Sequence, residues 1–572
     1  MEGNSLAYDN VVDVLVIGSG GSAFTSAIAC KKAGLNALMV EKTGLFGGTT
    51  CFSGGVLWLP GNRYSWAIGP DTREAARAYI QAEAGNRFNA ARVDAFLDAA
   101  PQLLEFLERE TEVRFYGMPY PEYHQDNPGV SNVRSVGTLD YPASKLGPLR
   151  RKMRRGLTQQ DFLGLAVGSN VEMRALMGAG RSLAGFAFVA RKFGKVVADV
   201  VRYGRPEPVV RGRALIARLA RTAADLDIPL WLNSPAVELI REDGAVVGAV
   251  VQRDGRTLRI RARHGVVLAA GGFPHDEART SQMYAHKRAG RRHVAMAPPG
   301  NTGDGARMAE AAGGRVDPDV TQPAAWMPVS LIPGREGAAA NWQHIVDRQK
   351  PGFIAVTRAG KRFTNESQPY HDFVPAMVEA CEDMDETCAF LVCDTHAIKR
   401  YGMGFAKPDP VPRGQHVRSG YLIKGDTLAE LAERAGIDGP ALERTVERFN
   451  SFAASGTDPD FRRGENAYDV SQGDPDHKPS PNLAPLTRGP FYAIKLLPGD
   501  IGTFAGISTN EHAQVITRDG QPIRGLYAAG NDCANVVSGG YAGAGGTLGP
   551  GMTFAYLAAQ HIADSAAGHR TG

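Results

Sequence analysis

Asp13-Val-Leu-Val-Ile-Gly18-Ser-Gly20-Gly21-Ser22-Ala23 reads as a buried strand, a glycine turn and the start of a small-residue helix. Gly18 permits the tight turn, Gly20 lets backbone N–H groups approach a pyrophosphate, and Ala23 allows the helix to pack close on the strand. The helix start at Gly21 and Ser22 adds unpaired donors and a partial positive charge. A second strand, Ala37-Leu-Met-Val40, ends in Glu41, about 20 residues beyond the turn, where a carboxylate accepts from ribose hydroxyls. Lys42, the turn Gly47-Gly48-Thr49-Thr50, and Ser53-Gly54 extend the same cradle. The pattern predicts an α/β, Rossmann-like dinucleotide domain.

The pocket begun here is finished near the other end of the chain. Gly525-Leu-Tyr-Ala-Ala-Gly530-Asn531 is followed by Ser538-Gly-Gly-Tyr541-Ala-Gly-Ala-Gly545-Gly-Thr547-Leu548-Gly549-Pro550. A nicotinamide domain closes its pocket locally, whereas the larger flavin needs donors from distant segments, so the split points to FAD. Further edges are expected at Ala236, at Gly265-Val-Val-Leu-Ala-Ala270-Gly271-Gly272, and at Asn301-Thr-Gly-Asp304-Gly opening a helix. Gly549-Pro550-Gly-Met-Thr begins another helix, with proline in its first turn. Its N-terminal end can hold the electron-rich edge of a flavin ring.

A chain of 572 residues is long enough for two to four domains. The net charge of +4 is too slight to argue for nucleic acid. Met1-Glu-Gly-Asn-Ser lacks the basic start and apolar run of a secretory signal. The apolar stretch Ser182–Ala190 is about half the roughly 18 residues that span a bilayer. Six cysteines without a Cys-x-x-Cys pair predict neither a metal site nor a disulfide framework. The cytoplasm is the default expectation.

Amphipathic helical patterns fill residues 72–110, and Asp254-Gly255 between two strand-like runs predicts a hairpin. From about 319 to 495 the texture changes to loops, prolines and scattered aromatics around helices near Thr427–Ala435 and Pro440–Ala454. We therefore expect an FAD-binding domain of residues 1–318 plus 496–572, interrupted by an inserted α+β substrate (capping) domain at 319–495. Residues 150–205 stand apart, with twelve Lys or Arg against three Asp or Glu, a local +9 that leaves about −5 for the rest. This is expected to be a basic helical insertion. Basic residues beside Phe162, Leu163, Leu165, Phe186 and Phe188 also suit peripheral contact with an anionic membrane.

Several segments carry a resemblance. Glu41-Lys-Thr-x-x-Phe-Gly-Gly-Thr, Ser53-Gly-Gly-x-x-Trp58-Leu-Pro-Gly, Arg362-Phe-x-Asn365-Glu366-Ser367-x-Pro369-Tyr370 and Tyr541-Ala-Gly-Ala-Gly545-x-Thr-Leu-Gly-Pro resemble the 3-ketosteroid Δ1-dehydrogenases, which belong to the fumarate reductase-like FAD flavoproteins. The similarity spans nearly the whole chain. It implies that the Tyr541 hydroxyl and Gly545 N–H polarise a substrate carbonyl, and that Tyr370, assisted by Tyr123, removes the adjacent proton. Flavin would take the hydride from the next carbon, leaving a C1–C2 double bond. It also implies non-covalent FAD, a cyclic ketone substrate and a quinone or other diffusible electron acceptor. Phe504 departs from the family's usual lysine after Gly-Thr, which bears on substrate access. A dicarboxylate reductase is disfavoured, because residues 44–60 hold no histidine and Asn531 stands where those enzymes commonly have Glu. Dehydrogenation of other cyclic ketones such as cyclohexanone, the reverse enone reduction, Δ4-desaturation of a 3-ketosteroid, and a non-catalytic flavin-fold carrier are the alternatives.

Overall fold

The computed structural model describes residues 7–157, 161–162, 165–166, 183–203 and 209–568. Val14, Leu15, Val16 and Ile17 form a strand, Asn10–Ile17, buried on both faces. A continuous apolar run is what a central parallel strand requires, and each such side chain contributes about 1.5–3 kcal/mol by leaving water. The strand pairs in parallel with Ala37–Val40 on one side and with Arg256–Leu268 on the other. Pro522–Ala528 then adds to Arg256–Leu268, again in parallel, and Leu230–Trp231 extends the opposite edge. Helix Gly21–Lys32 packs on this sheet beside the last helix, Leu548–Gly568. The Rossmann-like expectation therefore holds, and the two ends of the chain meet in one layer.

The hairpin is present as expected. Ala245–Arg253 and Arg256–Leu268 pair in antiparallel register, and Asp254 and Gly255 both adopt positive φ, the mirror-image turn that suits strand twist. Its second strand runs on without a break through Gly265, where the sequence suggests two strands. A register shift between Val12 and Val14 absorbs the change in pairing.

A second sheet joins Asn341–Gln343, Ala324–Leu331, Phe491–Thr503, Ala389–Cys393 and Phe353–Val356. Its central strand, Phe491–Thr503, spans the expected boundary at 495/496 and, among the described residues, pairs only with strands of this sheet. Val294–Ala295 also joins it, so the sheet reaches outside 319–495 at both ends. Leu428–Ala435 and Gly439–Ala453 match the two helices expected here, capped by Thr427 and Asp438. Helices Tyr370–Ala380, Thr395–Tyr401, Gly414–Arg418 and Ala467–Gln472 were not foreseen. They are short or proline-bearing and take their stability from packing rather than propensity.

This second layer is pinned by a buried ionic network. Arg362 donates to both Glu366 and Asp458, and Arg463 donates to Glu366 and to the Phe353 carbonyl. All four side chains are within a few per cent of fully buried. The motif Arg362–Ser367 thus anchors the turn that delivers Tyr370. Burial opposes the Glu366 charge, but the two guanidinium groups outweigh it and hold the carboxyl below its ordinary range. Glu366→Gln should lower unfolding free energy by about 3–5 kcal/mol, because it leaves buried guanidinium groups under-compensated. A depressed carboxyl pKa gives stability above the unfolded-state value that is lost as pH falls through the folded one. Denaturant titrations should therefore find the gap between wild type and variant widest near neutrality and shrinking in acid.

Candidate active site

One cleft of about 730 Å³ runs along the carboxyl ends of the first sheet and under the second. Of the residues expected to hold a cofactor, Gly18, Gly20, Gly21, Ser22, Glu41, Lys42, Gly48, Thr49, Ser53, Gly54, Ala236, Ala270, Gly271, Gly530, Asn531 and Leu548 all line it. Ala23 does not. It is fully buried in helix Gly21–Lys32, where its expected role was packing.

The glycine turn discriminates between two uses of glycine. Gly18 has φ +123°, and an added Cβ would lie 2.1 Å from the Ala269 carbonyl oxygen, so the protein's own backbone demands it. At Gly20 a Cβ would meet only Thr50 Oγ1, at 3.7 Å. Among the described residues nothing excludes a side chain there, and a methyl would enter the cleft where a pyrophosphate would approach. The residues present thus fit a dinucleotide. Glu41 accepts from the Ser19 hydroxyl and from Thr43 N and Oγ1, and Lys42 pairs with Asp304 and Thr302.

The contacts among these segments, and Asp532 itself, were not read from the sequence. Thr50 Oγ1 accepts the Gly21 N–H, and Asn301 donates to Thr49 and to the Gly271 carbonyl. Asp532, wholly buried, accepts from Ala270 N and Gly272 N, and burial pushes its carboxyl up to about 6.

Tyrosines from three chain segments line another part of the cleft. Tyr123 Oη donates to Tyr370 Oη at 3.0 Å. The Tyr541 ring stands edge-on to both, with centroids at 5.2 Å from Tyr123 and 5.6 Å from Tyr370. All three are buried. Burial raises the pKa of each, and neighbouring phenols add to it at Tyr123 and Tyr370. For Tyr370 the hydrogen bond from Tyr123 favours the anion, the one with Tyr541 opposes it, and the net shift stays upward. Tyr468, missed in the sequence, packs edge-on against Tyr123 at 5.1 Å.

Each tyrosine is held by its own scaffold. Tyr123 follows Glu122, whose carboxylate takes Arg134, the Trp58 indole N–H and Ser131 N. Burial, opposed by Arg134, leaves Glu122 at about 7. Tyr370 begins helix Tyr370–Ala380 directly after the ionic network. Tyr541 lies in a loop whose Ala542 carbonyl accepts both Tyr123 N and the Tyr79 hydroxyl. Gly545 has φ +91°, and a Cβ would fall 2.6 Å from Trp58 N, so the loop seats on the Val56–Trp58 strand only with glycine there. Phe504, the departure noted in the sequence, backs the Tyr541 ring edge-on at 5.5 Å.

Comparison with known proteins agrees with this arrangement. The FAD binding domain family matches residues 13–548. The chain is 40% identical to 4-oxocyclohex-2-ene-1-carboxylate 5-dehydrogenase of Sinomonas cyclohexanicum, covering 98% of this chain and 95% of that one. It is 37% identical to 3-oxosteroid 1-dehydrogenase of Mycolicibacterium smegmatis, covering 98% of each. Among solved structures, the 3-ketosteroid Δ1-dehydrogenase of Sterolibacterium denitrificans in complex with 1,4-androstadiene-3,17-dione superimposes with a TM-score of 0.90 at 34% identity. That match covers 97% of this chain and all of the other. The chain belongs to the FAD-binding flavoprotein family that includes the 3-oxosteroid 1-dehydrogenases.

Proposed function

We propose that this flavoprotein is a 3-ketosteroid Δ1-dehydrogenase, and the observation that carries the proposal is the buried Tyr123–Tyr370–Tyr541 row facing the cleft. Bound FAD supplies the hydride acceptor. The Tyr541 hydroxyl and Gly545 N–H form an oxyanion-type clamp that withdraws electrons from the ring ketone and acidifies the adjacent carbon. Tyr370 takes that proton, and the hydrogen bond donated by Tyr123 lowers the cost of the resulting anion. Met118, Met296, Met327, Ile345 and Pro408 line the same cleft, an apolar surface suited to a flat polycycle. FAD is held without a covalent link: the Gly47–Thr50 turn has no histidine, and Cys51 beside it is fully buried with its thiol pushed up to about 12. A quinone or other diffusible oxidant takes the electrons.

A second reading is favoured by the Sinomonas relative and by one cation. Lys407 lines the cleft over the Trp342 ring at 4.2 Å, with burial lowering its pKa to about 8, and a ring carboxylate would pair with it. Anaerobic mixing separates the two. Bleaching of the yellow flavin by androst-4-ene-3,17-dione and not by 4-oxocyclohexanecarboxylate is the expected result. The reverse selects the small-ring acid, and bleaching by neither sinks both.

Tyr370→Phe and Tyr541→Phe should each lower kcat by about 10² or more while the protein stays yellow, since each removes a hydroxyl used mainly in the transition state. Because burial raises the Tyr370 pKa, the fraction present as base grows with pH, and wild-type kcat should climb from neutral into alkaline solution. Full activity in Tyr370→Phe would reassign the base.

The basic insertion is proposed to dock on an anionic membrane surface. Helix Leu183–Tyr203 exposes Phe186, Phe193, Val197 and Val201, which fall on one face at helical spacing, with exposed Arg191 and Lys195 on the other. The expected contributions of the Phe162, Leu163, Leu165 and Phe188 side chains lie outside what the structure describes. Among the described residues no helix is long and apolar enough to cross a membrane. Co-sedimentation with phosphatidylserine vesicles should exceed that with phosphatidylcholine vesicles, fall at high salt and weaken in Phe193→Ser/Val197→Ser. Equal recovery with both vesicle types would leave this helix as a solvated lid.

A further inference from the structure

The three tyrosines arrive on three separate segments, and a chain neighbour of each one belongs to, or lies against, a single charged cluster. His124 follows Tyr123. Its Nδ1 lies 2.5 Å from Glu83 Oε1 and its Nε2 lies 3.0 Å from Asp372 Oδ2. Asp372 stands two residues after Tyr370, in the first turn of the same helix. Glu83 also reaches the third segment, since a Cβ on Gly540, the residue before Tyr541, would come within 3.0 Å of Glu83 Oε2.

Both imidazole nitrogens face carboxylates, which only accept hydrogen bonds, so both must carry protons. Neutral imidazole would turn a lone pair towards one of the two carboxylates. The geometry therefore specifies an imidazolium. Burial disfavours that charge, but Asp372 and Glu83 outweigh it and hold the His124 pKa well above its ordinary value.

The remaining groups around the cluster are consistent with this state. The Tyr79 hydroxyl accepts the His124 backbone N–H, and Asn127 Nδ2 donates to Glu83. The buried Arg348 guanidinium helps keep Asp372 ionised. His371 next door is held neutral, burial lowering its pKa, with Nδ1 accepting from Trp326 N and Nε2 facing the Gly539 carbonyl.

We infer that His124 is a positioning residue: as an imidazolium bridged by Glu83 and Asp372, it latches the loop of Tyr123 to the helix of Tyr370 and sets the contact between the two hydroxyls. The latch joins the first layer to the second, because Tyr123 belongs to the flavin-binding part and Tyr370 to the inserted one. His124, Glu83 and Asp372 are not among the residues that line the cleft. The inference rests on the tyrosine row being catalytic, and the two fail in different experiments.

The sign of the pH effect follows from the raised pKa. The latch is complete below the ordinary histidine value and is lost as pH rises through the folded-state value. Activity should thus rise as Tyr370 ionises and fall where His124 loses its proton.

Steady-state kinetics on the FAD-loaded enzyme test this, with androst-4-ene-3,17-dione as substrate. His124→Asn should lower kcat about tenfold or more, as expected for misplacing reacting groups by under 1 Å, with KM for the steroid and the flavin absorbance spectrum little changed. Glu83→Gln removes one of the two carboxylates, so the alkaline fall in kcat should move to lower pH, and that fall should vanish in His124→Asn. A merely structural cluster would lower yield or stability without shifting the profile. A Glu83→Gln profile superimposable on wild type, or His124→Asn turnover within twofold of wild type, overturns the latch. Loss of turnover in Tyr370→Phe together with an unshifted Glu83→Gln profile would reject the latch and keep the tyrosine base. Should His124→Asn fail to fold, the Glu83→Gln profile alone decides.

Discussion

The cradle depends on one alignment: the carboxyl ends of parallel strands from the start, middle and end of the chain must terminate at the same level. The fastening is Asp532. One buried carboxylate at the end of Pro522–Ala528 accepts the N–H groups of Ala270 and Gly272 at the end of Arg256–Leu268. Backbone donors without partners would be costly in a dry interior. Meeting them with a side chain from residue 532 fixes both where the last strand stops and where the glycines turn. Gly18, pressed against the Ala269 carbonyl, completes the line from the other side.

The second constraint is electrostatic. Three phenols share a space shielded from water, and burial raises the pKa of all three. A row of equivalent neutral phenols would have no preferred base. Hydrogen bonding breaks the equivalence: Tyr123 donates to Tyr370 and favours its anion while the contact with Tyr541 opposes it, and at Tyr541 the contacts with Tyr370 and Thr547 both favour the anion. The three hydroxyls are thereby made unequal by geometry rather than by residue type.

Legibility in the sequence followed the range of the interactions. The unit from Asp13 to Glu41 and the Asp254-Gly255 hairpin were readable because turn chemistry and strand pattern act within a few dozen residues. All but one of the expected cofactor residues line the cleft, and Ala23, the exception, does the packing job its small size suggested. What could not be read was set by partners far away in the chain. Asp532 looks like any acidic residue until Ala270 lies beside it. His124 is a lone histidine in sequence, and its carboxylates lie 41 and 248 positions away. Phe491–Thr503 has the apolar texture of either sheet, and only its pairing with Ala324–Leu331 and Ala389–Cys393 assigns it.

Joining residue 10 to residue 528 within one sheet has a consequence for the growing chain. Synthesis at about 5–20 residues per second leaves Val266–Leu268, beyond the hairpin pairing with Ala245–Arg253, to wait for Pro522–Ala528 to emerge. Helix Gly21–Lys32 likewise waits for Leu548–Gly568 to cover it. Contacts of such long range are slow to form because loop-closure entropy must be met before they reward it. Completion of the sheet thus waits on the C-terminal part of the chain, and the strand that completes it leads directly into Gly530 and Asn531 of the cleft.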